Sequence, residues 1–190
     1  MNRTHRWICR SALWRYGMRK KVLPWALAGV SLGDEVLEVG PGPGVTTDVL
    51  RLQCRRLTAV EVDGDLASKL ADRLAGTNVT VVHADATALP FPEASFTGAV
   101  SFTMLHHVPS ASLQDRLFGE VYRTLKPGGL FAGTDSLGSW GMTLLHVNDT
   151  MVLVNPETLA LRLARVGFAD IAVAAQRRVF RFCARKPVLS

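Results

Sequence analysis

The run Val36-Leu-Glu-Val-Gly-Pro-Gly-Pro-Gly44 joins an apolar stretch to three glycines at alternate positions, Gly40, Gly42 and Gly44. Glycine accepts positive φ and lets another group approach the backbone closely. A strand that enters such a loop and leaves it as a helix therefore sets backbone amides against a polar ligand group. The next strand candidate, Leu57-Thr-Ala-Val-Glu-Val-Asp63, carries a carboxylate, Glu61, seventeen residues after Gly44. An ionised carboxylate only accepts hydrogen bonds and has room for both hydroxyls of a ribose, the means by which doubly wound folds select nucleosides. That spacing suits a nicotinamide dinucleotide as well as other nucleosides, and a glycine loop by itself is also compatible with a plain tight turn. Asp63, two residues further on, reads as the cap of the following helix.

Three further segments narrow the choice. Val82-His-Ala-Asp-Ala86 closes the third strand candidate and leads to Leu89-Pro-Phe-Pro-Glu-Ala-Ser-Phe96. Leu105-His-His-Val108 follows the fourth strand candidate, and Leu125-Lys-Pro-Gly-Gly-Leu130 precedes the fifth. In order and spacing, from about Asp34 to Asp135, these segments resemble the small class I S-adenosylmethionine-dependent methyltransferases of the type 11, UbiE-like kind. The resemblance implies S-adenosylmethionine as cofactor and S-adenosylhomocysteine as its product. It further implies that Gly40, Gly42 and Gly44, with Glu38 on the same strand and loop, contact the methionine part of the cofactor. Glu61 and its neighbour Val62 would take the ribose, Asp85 the adenine amino group, and Ala86 would contribute backbone. Ser101, Phe102 and Thr103 would lie beside the donor methyl. The implied fold is an α/β, Rossmann-like doubly wound sheet of seven mostly parallel strands, with an antiparallel hairpin strand at its edge.

His106 and His107 are the titratable residues nearest the end of the fourth strand, and imidazole is suited to taking a proton at neutral pH. His146 and Asp149 lie where relatives of this kind place substrate residues. The chain departs from the family pattern at Thr97, where an acid is common, and that change should alter local turn geometry at the start of strand four. The interval between Asp135 and Pro156 is short, which leaves the acceptor pocket either open or closed by the N-terminal helix. Adenine-modifying relatives carry an Asn- or Asp-Pro-Pro-Tyr-like segment after strand four. Ser101-Phe-Thr-Met-Leu stands there instead, which disfavours nucleic-acid bases and favours a small or lipid-like acceptor.

The elements that must position these residues follow from periodicity. Strands are expected at Glu35–Val39, Leu57–Val62, Val79–His83, Phe96–Phe102 and Leu130–Asp135, with helices at Gly44–Gln53, Asp65–Leu74 and Ser112–Leu125 between them. Alternating strands and helices of these lengths argue for parallel βαβ units covered on both faces. A helix over Pro156–Val166 precedes two strands, Ile171–Ala175 and Val179–Ala184, whose short link at Gln176–Arg178 permits only antiparallel pairing. From Arg6 to about Gly29 apolar residues recur every third or fourth position among arginines, an amphipathic helix bent before Pro24. The expected organisation is a basic helical segment, residues 1–30, followed by the Rossmann-like domain, residues 31–190.

The 190-residue chain carries a formal charge of +6, unevenly placed. All sixteen acids lie between Asp34 and Asp170, seven basic residues precede them and five follow. The basic start could be a solvated helix face, or could meet an anionic surface, such as nucleic acid or lipid headgroups, or an anionic substrate, through residues 1–21. Cys9, Cys54 and Cys183 are far apart and form no metal or disulfide pattern. The longest apolar stretch, Val22 to Gly33, is too short to cross a membrane, so a cytoplasmic location is expected. Two other classes remain: a nicotinamide-dependent oxidoreductase, whose usual Gly-x-Gly-x-x-Gly is not matched, and a non-catalytic module that keeps the cofactor fold and docks on an anionic surface.

Overall fold

The protein was analysed as a computed structural model, which describes residues 11–138 and 150–188. Apolar residues that alternate within short strands, and that are buried on both sides, demand a sheet covered on both faces. Val36, Leu57 and Val100 pack to one side, and Leu37, Val39, Ala99 and Phe131 to the other. The seven strands are β1 (Glu35–Val39), β2 (Arg56–Glu61), β3 (Val79–His83), β4 (Phe96–Phe102), β5 (Leu125–Ser136), β6 (Ala169–Gln176) and β7 (Val179–Arg185). Their spatial order is β3-β2-β1-β4-β5-β7-β6. Strands β1 to β5 are parallel, and β7 runs antiparallel to both β5 and β6. This is the Rossmann-like sheet expected, with the β6–β7 hairpin forming one edge.

The helical elements are α1 (Ala12–Gly17), a π-helical turn (Met18–Val22), α2 (Leu23–Ala26), α3 (Thr47–Leu50), α4 (Gly64–Leu74), α5 (Ala111–Thr124) and α6 (Pro156–Val166). Asp63 caps α4 by accepting the Leu66 N–H at 3.1 Å, as its position suggested. Ser110 does the same for α5 through Leu113. Gly167, at φ 116°, ends α6 in the left-handed conformation that glycine adopts without a Cβ penalty. Before Pro24, the site of the expected bend, the chain forms the π-helical turn, and the missing N–H of Pro24 is harmless in the first turn of α2. Met18, Leu23 and Ala26 pack with Leu32, Val36, Val100 and Phe102, so this segment joins the core of the sheet. Trp7 and the rest of residues 6–10 lie outside the described residues.

Two elements differ from their sequence expectation. Strand β5 begins at Leu125 rather than Leu130, with Lys126-Pro-Gly-Gly forming a bulged stretch within it. Gly128, at φ 82°, donates to the Lys186 carbonyl, Lys186 donates back to Gly129, and a register shift between Phe96 and Gly98 absorbs the irregularity. The helix expected over Gly44–Gln53 is regular only at Thr47–Leu50, flanked by turn bonds that begin at the Gly44 carbonyl and run to the Gln53 amide.

Thr97 shows what stands in place of the family's acid. Its hydroxyl accepts the Glu35 N–H at 3.0 Å and donates to the Leu32 carbonyl at 2.8 Å, strapping the entry of β1 onto the start of β4. Replacing Thr97 by Val keeps the shape but leaves both backbone groups without this partner. The expected cost is about 1–3 kcal/mol, read from the urea unfolding midpoint, and an unchanged midpoint would show that water satisfies them equally well.

Candidate cofactor and acceptor site

The strand order reverses between β1 and β4, so the helices that follow these strands depart to opposite sides and leave a crevice at the carboxyl ends. A cavity of about 530 Å³ lies there, a volume typical of small-molecule sites. Its wall is made by Gly40, Pro41, Gly42 and Pro43, by Glu61, Val62 and Asp63, by Ala84, Asp85, Ala86 and Thr87, and by Phe102, Thr103 and Met104. Because β3, β2, β1 and β4 are consecutive neighbours, Asp85, Glu61, the glycine loop and Thr103 follow one another along one edge of the sheet. Three inter-strand steps make a run of roughly 14 Å, the extent of a nucleoside with a short tail.

All three glycines of the loop take a left-handed backbone, and two of them are crowded where a side chain would begin. Gly40, Gly42 and Gly44 have φ of 68°, 54° and 83°. A Cβ on Gly40 would come within 2.8 Å of the Met104 side chain, and one on Gly44 would collide with Leu70 and Arg73. A Cβ on Gly42 meets nothing within 4 Å, so that residue faces the open cavity and leaves its width to a ligand. Glu61, only 6% exposed, accepts the Gly42 N–H through Oε2 at 2.9 Å and the Asp63 N–H through Oε1 at 3.0 Å. A carboxylate has about four acceptor positions, so capacity for ribose hydroxyls remains. Asp85 accepts the Thr87 N–H at 2.8 Å, which turns the chain after β3 and keeps its carboxylate at the cavity wall. Glu120 and Arg123 on α5 hold the loop that follows, through the Leu89 N–H and the carbonyls of Leu89 and Phe91. Hydrogen bonding from Arg123 keeps the Glu120 carboxyl below the ordinary range. The glycine cradle, the buried ribose-type acceptor and the second carboxylate fit an adenosine-bearing cofactor.

Glu38 takes a different place from the loop it precedes. It is buried behind the cavity wall, where Thr46 Oγ1 donates to one carboxylate oxygen and Thr47 Oγ1 to the other, the latter at 2.6 Å. Burial pushes its carboxyl from the ordinary 4.5 up to about 7, against the lowering effect of the two hydroxyls. Glu38 thus pins the start of α3 to β1 from beneath. Gly44 and Ser101 likewise lie outside the cavity lining, Ser101 being fully buried, whereas Val62, Ala86 and Phe102 line it.

The two histidines separate in the same way. Thr103, at φ 51°, turns the chain sharply out of β4 and leads into the one-turn 3-10 helix Leu105–His107. His107 lines the cavity. His106 is buried, with Nδ1 at 2.5 Å from Asp135 Oδ1 and its backbone N–H donating to Asp135 Oδ2 at 3.0 Å. The two rings lie 4.3 Å apart. Gln114 holds the turn from below by donating to the Leu105 and Val152 carbonyls. His146 and Asp149 lie outside the described residues.

Sequence reasoning did not single out Asp135, Thr46 and Thr47 as supports. Nor did it place Trp14, Met18, Val108, Leu113 and Leu117 on the cavity wall. The threonine pair was detectable in principle, since two hydroxyls directly after a glycine loop sit where a helix begins. Among the described residues no group of three or more His, Cys, Asp or Glu is arranged to hold a metal ion, and no helix is long and apolar enough to cross a membrane.

Fold and site together define a nucleoside-cofactor enzyme class of the Rossmann type, and comparison with known proteins is more specific. The family model described as a methyltransferase domain, type 11, matches residues 37–133, and the chain belongs to this family of S-adenosylmethionine-dependent methyltransferases. The demethylmenaquinone methyltransferase of Clavibacter sepedonicus is 33% identical over 119 residues, covering 62% of this chain and 44% of that protein. The protein named probable ribosomal RNA small subunit methyltransferase A in Haloarcula marismortui is 40% identical over 138 residues, covering 65% and 47%. The chain thus spans less than half the length of either relative. In fold it is similar to an S-adenosylmethionine-dependent methyltransferase from Aquifex aeolicus, with a TM-score of 0.76 at 16% identity over 98% of this chain and 99% of the other.

The Glu38 carboxyl binds a proton in the folded protein between pH 4.5 and about 7 that it releases on unfolding. Its contribution is therefore full below pH 4.5 and is lost as the pH rises to about 7, a change on the order of 3 kcal/mol. Glu38→Gln keeps the hydrogen-bonded shape without the titration. Thermal unfolding across this range should show the wild type losing stability relative to the variant, and parallel curves would place the titration elsewhere.

Proposed function

We propose that this chain transfers the methyl group of S-adenosylmethionine to a small, largely apolar acceptor. The observation that carries the reading is the succession of Asp85, Glu61, the glycine loop and the Thr103–His107 turn along one edge of the sheet, in the order of adenine, ribose, amino-acid tail and donor methyl. When bound, the cofactor supplies an electrophilic methyl group on a positively charged sulfur that is already a good leaving group.

The chain's own residues then have little covalent chemistry to perform. Glu61 takes the ribose hydroxyls, Asp85 the adenine amino group, and the open backbone at Gly42 makes room for the tail. Trp14 and Met18 line the cavity from the N-terminal side. Orientation of this kind can supply a large share of the acceleration, since well-placed intramolecular reactions reach effective molarities of about 10⁵–10⁸ M. Oxygen, carbon or protonated nitrogen acceptors also need a base. His107 is the imidazole on the cavity wall, while His106 and Asp135 hold the turn that presents it.

The acceptor class rests on the lining. Trp14, Met18, Phe102, Met104, Val108 and Leu113 make the wall near the end of β4 predominantly apolar. One relative is named for ribosomal RNA, but Ser101-Phe-Thr-Met-Leu after β4 has no amide or acid to hold an exocyclic base amine, and this favours a small or lipid-like acceptor.

Calorimetric titration tests the reading directly. S-adenosylhomocysteine should bind, NADH should not, and Glu61→Ala should weaken binding on the order of a hundredfold through loss of two charge-assisted hydrogen bonds. Binding of NADH with no response to S-adenosylhomocysteine would replace methyl transfer with a redox reaction. His107→Ala should leave the affinity for S-adenosylhomocysteine within a few fold. A large loss there would make His107 a cofactor ligand rather than a base.

A further inference from the structure

Helix α1 and the turn that follows it have two faces with different chemistry. Trp14 and Met18, four residues apart, point inward and line the cavity. Leu13, Tyr16, Arg19 and Lys20 lie away from that pair on the solvent side, with Arg15 beside them. Leu13 is 82% exposed and Tyr16 59%, and Arg15, Arg19 and Lys20 are exposed beside them. Arg15, Arg19, Lys20 and Lys21 meet no acid earlier in the chain than Asp34. An interfacial helix uses both kinds of residue, the apolar groups entering the acyl boundary and the cations meeting headgroup phosphates. We propose that this face docks on an anionic lipid surface, so that the cavity behind Trp14 and Met18 opens beside the membrane. The inference rests on the methyltransferase reading in one respect only: it makes a membrane-dissolved molecule the acceptor class.

Each cation near an anionic surface adds to binding through a potential that falls off within a Debye length, so the contact should be strongly salt-dependent. The apolar pair adds a component that salt does not screen, and Leu13 in particular separates a bilayer from a nucleic acid, which can stack bases on tyrosine but offers leucine no apolar phase.

The test is flotation of the full chain with vesicles of phosphatidylcholine and phosphatidylglycerol in equal parts, against vesicles of phosphatidylcholine alone, with affinity for S-adenosylhomocysteine measured on every variant. Binding is expected only to the anionic vesicles, and to fall at least tenfold when salt rises from about 0.1 M to about 0.5 M. The Arg19→Glu, Lys20→Glu double variant and the Leu13→Ser, Tyr16→Ser double variant should each lose on the order of tenfold or more. Both should keep their affinity for S-adenosylhomocysteine, since none of the four residues lines the cavity. No binding to anionic vesicles, or binding indifferent to both variants, overturns the proposal. Binding to an RNA probe that the charge variant loses, without vesicle binding, overturns it in favour of a nucleic-acid partner, whether or not the serine variant keeps that binding. Failure of the wild type to bind S-adenosylhomocysteine removes the methyltransferase reading and leaves the vesicle result to be judged by itself.

Discussion

A buried carboxylate at the end of β2 holds the amide of Gly42, and through that bond two neighbouring strand ends become one surface. The other oxygen of Glu61 holds the Asp63 amide, which starts α4. The glycine loop and the helix that follows are therefore placed by a single side chain in low-dielectric surroundings, where hydrogen bonds are strong. Glu38 acts on the same loop from beneath through Thr46 and Thr47. The loop is clamped between two acids, one facing the cavity and one behind it, and its backbone path excludes a Cβ at Gly40 and Gly44.

The other half of the site is held by a separate polar assembly. Asp135 at the end of β5 receives three hydrogen bonds, two from His106 and one from the Ser136 amide. Gln114 on α5 ties the same turn to the Val152 segment, whose amide in turn donates to the His106 carbonyl. Arg162 on α6 then holds Gln114 and Asp115. A turn satisfied from three elements presents His107 to the cavity with little freedom, which is the kind of support that an orienting mechanism needs.

The N-terminal segment connects these halves to the exterior. Its inner residues complete the cavity wall and the hydrophobic core, and Arg181 on β7 fastens its end through the Trp25 carbonyl and ring. Fold likeness of this kind is shared by many chemistries, so the acceptor is argued from the lining and not from the sheet.

What the residues determined by themselves was local and periodic. The strand boundaries at Glu35–Val39, Val79–His83 and Phe96–Phe102, the cap at Asp63 and the antiparallel return at Gln176–Arg178 all follow from alternation, turn chemistry and chain reach. The places of Glu61, Asp85, Gly40 and Gly42 on the cavity wall were legible because each stands at the end of a strand, where spacing along the chain maps directly onto position in a parallel sheet. The continuation of β5 through Lys126-Pro-Gly-Gly was not legible, because the partners that hold this bulged stretch in the sheet, Lys186 and the shifted register of β4, are distant in sequence. The same holds for the division between Glu38 and Glu61 and between His106 and His107. Adjacent or alternate residues differ only in the direction they face, and whether that direction leads to a cavity or to Asp135 and two threonines is decided by which elements pack against them.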